Sequence, residues 1–236
     1  MSFVSVGSLG NANSKVSGQT ISISPSRAVP AGHLIVVWAA LLATDGNATD
    51  LGGKVRDENY ACTDDAGNIY TTLTCGYSVA SDQVGSAMFI TYVDFPLSTS
   101  SIITVTARVT TVPARAMSVE EFSIDNGKRW CVYRDSSGGF ENNSGAGTAQ
   151  PSNMSVGSLA NEEHLILHVL GSLRPVTDSY TWDADYTQIV PDGTTGGAAD
   201  SNVTLRGGYR IVTSTGDTVS TNDDTSGSKD IVQGIC

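Results

Sequence analysis

Few side chains in this 236-residue chain combine type and spacing in a way that suggests chemistry. Glu120 and Glu121 are adjacent carboxylates, the raw material of acid–base work on a glycosidic bond. On a strand, successive side chains leave opposite faces, so these two cannot converge on one substrate. They are expected to mark a bulge or the end of a strand's pairing. Glu162 and Glu163 precede an apolar run and read as a solvated turn. Asp64, Asp65 and Asn68 could offer oxygens to calcium, but DDAGN at 64–68 also serves as a hairpin turn without metal, and that reading is preferred. Asp183 and Asp185 are read with the same caution. Tyr180, Trp182 and Tyr186 share one parity, so a strand would place them on one face. Exposed, they would form a platform for sugar rings; buried, as favoured here, they would belong to the core or a subunit contact.

The histidines are His33, His164 and His168. His33 and His164 each open an apolar run, and their imidazoles are expected to bond a neighbouring backbone group rather than act as base or ligand. His168 interrupts its run and is expected to face solvent or a subunit contact. Cys62, Cys75, Cys131 and Cys236 match no zinc spacing. If Asp65 pairs with Asn68, Cys62 lies opposite Thr71 and Cys75 is out of bridging reach, so free thiols are expected. There is no nucleophile elbow, phosphate-cradling glycine motif or HExxH. No catalytic, cofactor-binding or metal-ligating residue is assigned, no cofactor is expected, and the chain is not expected to be an enzyme.

The elements that must carry these residues read as strands. Ser, Thr, Gly, Asn and Val dominate, and charged residues are only 16 %. TISIS and SIITVTARV alternate with period two, and SAMFITYVD would place Met88, Ile90 and Tyr92 on one face. HLIVVWAALLA is apolar on both parities and, after Pro-Ala-Gly, suits a central strand. No segment of helical length shows a 3.6-residue period. The order of elements also repeats. His33 and His164 stand 131 apart, Tyr70 and Tyr186 116 apart, and Tyr92 and Tyr209 117 apart. A longer loop at 44–59 in the first copy accounts for the drop, and the steady later offset is what duplication predicts. The expected fold is therefore an all-β, antiparallel β-sandwich, jelly-roll-like, with internal repeats at 1–125 and 126–236. The repeats form one body or, alternatively, two tandem sandwiches joined by a linker near 136–153.

The net charge of −11 leaves no basic stripe for phosphates, so neither nucleic acid nor an anionic membrane is an expected partner. No apolar run reaches transmembrane length, and MSFVSVGSLG has no basic-then-apolar pattern of a secretory signal, so folding in a cytoplasm is expected.

The pieces SGQTISIS, VPAGHLIVVWAA, TDDAGNIYTT, PLSTSSIITVTA, TWDADYTQIV and TTGGAADSNVTLRGGYRIVTSTGD together resemble duplicated β-sandwich virion structural proteins of tailed bacteriophages. The terminal DIVQGIC departs from that pattern, with Cys where an aromatic is usual. The resemblance implies a capsid decoration (cement) protein assembled in the host cytoplasm, binding the major capsid protein or other virion proteins from outside, with a trimer as the first guess at its oligomeric state. FVSVGSL and the loop at 44–59 are its candidate contact elements. The alternative is a tail-fibre, baseplate or capsid-fibre module that binds host polysaccharide through Tyr180, Trp182 and the loop at 191–201. A secreted glycan-active enzyme is the least favoured class.

Overall fold

The computed structural model describes residues 3–43, 60–77, 83–107, 112–124, 140–144, 152–155, 163–173, 185–198, 201–212, 220–223 and 230–235. These residues form antiparallel sheets and include no α-helix. In chain order the strands are β1 (Phe3–Ser14), β2 (Thr20–Ile23), β3 (Leu34–Ala43), β4 (Tyr60–Asp64), β5 (Thr71–Tyr77), β6 (Gln83–Tyr92), β7 (Ile103–Ala107) and β8 (Ala114–Ile124). They continue as β9 (Phe140–Ser144), β10 (Ser152–Ser155), β11 (His164–Ser172), β12 (Thr187–Gln188), β13 (Asp192–Gly193), β14 (Thr204–Val212), β15 (Ser220–Asp223) and β16 (Asp230–Ile235).

Pairing is nested. β1 pairs with β8, β2 with β7 and β3 with β6. Later in the chain β9 pairs with β16, β10 with β15 and β11 with β14. The resulting sheets run β1-β8-β3-β6-β5, β2-β7-β4, β12-β14-β11-β16-β9 and β10-β15, with β13 added to β14.

The five-stranded sheet lies between two others, which explains its sequence. Ile35, Val37, Ala39 and Leu41 of β3 join Phe89, Met117 and Val119 in a core with Ile21, Ile103, Val105 and Cys62 of the β2-β7-β4 sheet. Leu34, Val36, Trp38, Ala40 and Leu42 point the other way, into a second core with Leu167 and Val169 of β11 and Leu205 of β14. A strand covered on both faces must be apolar on both parities, and HLIVVWAALLA meets that demand. Alternation survives where one face is wet: Ile103, Val105 and Ala107 are buried on β7, while Thr104 and Thr106 are half-exposed.

The second core is keyed at Gly207. A Cβ there would fall 2.7 Å from Ile189 Cδ1 and 2.8 Å from Trp38 Cδ1, so the indole occupies the space a side chain would need. Trp38 Nε1 donates to the His168 carbonyl at 2.9 Å and ties β3 to β11. This indole both fills volume and satisfies its own buried N–H.

The segment DDAGN departs from the hairpin expectation. β4 belongs to the three-stranded sheet and β5 to the five-stranded one, so the turn carries the chain between sheets instead of joining paired neighbours. The expected Cys62–Thr71 facing therefore does not arise: Cys62 lies opposite Val105. Ile69 and Tyr70, expected at the start of a strand, precede β5.

Candidate functional site

The charged and polar side chains that could do chemistry fall into separate clusters. Glu120 and Glu121 lie opposite a disturbed stretch of β1, where the register slips between Ser5 and Gly7 and again between Ser8 and Gly10. The bulge expectation thus finds its match on the partner strand, and the carboxylates point to opposite faces as parity requires.

Glu121, 1 % exposed, is engaged at both oxygens. His33 Nδ1 lies 2.6 Å from Oε1 and Arg27 Nε donates to Oε2 at 2.8 Å. Arg27 reaches further, donating from its terminal nitrogens to the carbonyls of Ser8 at 2.8 Å and Gly7 at 2.7 Å. Here the expectation for His33 is corrected: its partner is a carboxylate, not a backbone group. A bulge leaves carbonyls unpaired, and a guanidinium fork anchored on a buried carboxylate satisfies them. Arg27 also blunts the free edge of β1, together with the Ser26 N–H, which donates to the Leu9 carbonyl.

Glu120 faces the second core and is 5 % exposed. Burial pushes its carboxyl up to about 7, against the lowering influence of Arg27 and of a hydrogen bond from Ser8.

Asp64 organises the turn at 64–68. Its Oδ1 accepts the N–H groups of Ala66, Gly67 and Asn68 at 3.0, 2.8 and 3.1 Å. Its Oδ2 accepts from Asn68 Nδ2 at 2.9 Å and Tyr70 Oη at 3.1 Å. Burial first, then the neighbouring Cys62 and Asp64, push the Tyr70 phenol far up, so it stays a neutral donor. Asn68 extends the network: its Oδ1 accepts the N–H groups of Asp94 and Phe95, each at 2.9 Å, and its Nδ2 donates to the Phe95 carbonyl at 2.9 Å. A carboxylate so fully used by N–H and O–H donors holds a turn, not a cation.

Among the predicted aromatics, Tyr180 and Trp182 lie outside the described residues, as does Asp183. Tyr186 is buried, with its ring set edge-on to His168 at a centroid distance of 6.5 Å. His168 is wholly buried, which corrects the solvent-facing option: both faces of β11 are covered. Asp185 pairs with Arg210 at 3.0 Å. Glu163 is not merely solvated, because its Oε1 accepts the Phe3 N–H. Glu162 lies outside the described residues.

The loop at 191–201 is fastened to β1. Asn13 Nδ2 donates to Asp192 Oδ1 at 2.7 Å, and Lys15 Nζ donates to Gly196 O at 2.6 Å and Ser201 Oγ at 3.0 Å. Of the expected contact elements, β1 exposes Val4 and Val6, and the loop at 44–59 lies outside the described residues. Cys62 is free and buried, and burial raises its thiol well above the ordinary range, which keeps it inert.

Sequence reasoning missed Arg27, whose carboxylate partner lies 94 residues away. It also missed a group of exposed apolar side chains, Ile69, Phe95 and Ile102. Ile69 carried a legible signal, since a turn residue directly after Gly-Asn has no core to enter. No protein-family model, no curated protein and no solved structure matches the chain.

Proposed function

We propose that this chain is a virion structural protein of the capsid-decoration kind, a rigid body that docks on a larger shell and performs no chemistry of its own. The observation that carries this reading is the fate of the reactive-looking groups. Glu121 is spent on Arg27 and His33, and Asp64 on its own turn, so both serve as staples. A body of this construction resists opening, the property required outside a cell, and an acidic surface keeps it soluble before assembly. The resemblance supplies the phage setting, the capsid partner and the trimer.

The fold proposal is a pair of jelly rolls derived by duplication. Nested pairing of first strand with last, second with seventh and third with sixth is the wrapping of a jelly roll. It is followed by β1 to β8 and again by β9 to β16 as far as they are described. Under a shift of eight strands the order β1-β8-β3-β6 corresponds to β9-β16-β11-β14, which supports this reading. A shift of 131 carries Ala40 onto Gly171, and a Cβ on Gly171 would stand 3.4 Å from Ala40 Cβ. Contact between positions that the repeat would make equivalent supports a two-fold arrangement of the halves within one chain. The shared core of Trp38, Leu167 and Leu205 favours one body over two tandem ones.

Purified protein mixed with capsids stripped of their accessory proteins tests the functional reading. Saturable binding in symmetric copy number, with a raised rupture temperature, is expected. Absence of binding to capsids of the same virus contradicts it.

A further inference from the structure

We propose that Ile69, Phe95 and Ile102, gathered around the turn at 64–68, form a docking tip for a protein surface with an apolar depression bordered by Lys or Arg. The three side chains are 85 %, 57 % and 47 % exposed. Their backbones are tied to one turn. The Asp65 N–H donates to the Ile102 carbonyl at 3.2 Å, and Asn68 clasps Phe95 through both its N–H and its carbonyl. Thr91 Oγ1 donates to the Ile69 carbonyl at 2.7 Å. The Asp64–Asn68 network therefore holds these side chains out on a fixed scaffold, and a pre-ordered apolar anchor loses little entropy on binding.

Charge selects the partner. Asp65 and Asp94 are exposed beside the tip, and residues 60–107 contain no Lys, Arg or His. The basic residues of the neighbouring segment, Arg27 and His33, are engaged by Glu121, so two tips brought together would set acid against acid and a second copy docked tip to tip is disfavoured. A basic border around an apolar depression complements the tip in both respects. The apolar centre would supply affinity and the acidic rim orientation and speed of encounter. The inference rests on the docking reading above for its biological setting, but its test does not.

The test uses the full chain, isotope-labelled, titrated with a short Leu/Lys peptide, with its Leu/Glu counterpart, and alone at rising concentration. Expected are amide shifts confined to 64–69 and 94–102 with the Leu/Lys peptide. Binding should weaken about tenfold in Ile69→Ser/Phe95→Ser. Asp65→Asn/Asp94→Asn should narrow the preference for Lys over Glu. Unchanged amide positions elsewhere establish that each variant is folded, and Ile69→Ser alone serves if the double variant is not. Shifts centred elsewhere, no preference between the peptides, or a dimer formed through the tip would overturn the proposal. Failure on stripped capsids alone would instead overturn the virion reading and leave the tip standing.

Discussion

The two larger sheets meet face to face, yet fill their shared seam with opposite choices of size. β3 sends in Trp38, the largest side chain of the core, and the facing strand β14 answers with Gly207. β11 offers Gly171, whose missing side chain leaves room for Ser86 and Ala40 across the seam. The polarity differs too. β3 is apolar from Leu34 to Leu42, whereas β11 buries His168 and Ser172. Two sheets packed on one seam need not be filled alike; what must match is each side chain to the space its neighbours leave.

Breaking that match should have the largest effect. Trp38→Ala empties the site facing Gly207 and removes the indole's hydrogen bond to the His168 carbonyl; a loss of about 3–5 kcal/mol is expected in denaturant unfolding. Gly207→Ala should cost about 1–3 kcal/mol by overpacking against the indole. In a double-mutant cycle the combined variant should lose less than the two singles summed, because the new methyl enters the vacated space. Strict additivity would mean that the two positions do not share one site.

The faces of the central sheet can be compared through its adjacent carboxylates. Glu121→Gln removes the charge that anchors Arg27 and frees the bulge carbonyls of β1. A loss of about 1–3 kcal/mol is expected, with faster hydrogen exchange in β1, where exchange confined to other strands would contradict the anchor. Glu120→Gln should act in the opposite direction. A carboxyl raised to about 7 binds more protons folded than unfolded between pH 4.5 and 7, so its contribution to stability falls as pH rises through that window. The substitution should therefore leave stability near pH 4 unchanged and raise it by on the order of 1–2 kcal/mol at pH 8. Equal effects at both pH values would rule out ionisation as the cause. The smallest effect on stability belongs to the tip: Ile69→Ser should change it by less than about 0.5 kcal/mol, since the side chain is mostly in water already.

How much of this was legible in the sequence depended on range. Period-two alternation located β7, and the doubly apolar run located β3 in a buried centre, because face and burial are written locally. The turn at 64–68 was recognised as a turn but given the wrong neighbours: local residues specify that the chain reverses, while the sheet each strand joins is set by pairings tens of residues away. The same limit hid the Arg27–Glu121 contact and assigned His33 a backbone partner. His168 was misplaced because a polar residue in an apolar run signals solvent only if one face is wet, and β11 has no wet face at that position.

The central claim is that β3 and β11 belong to one core. Native-state hydrogen exchange under rising denaturant tests it directly. Amides at 36–41 and 167–170 should be among the slowest and should merge into a single global opening. If those of β11 exchanged through a separate, lower-energy opening while β3 stayed protected, the two sheets would be independent units and the shared seam would not hold the protein together.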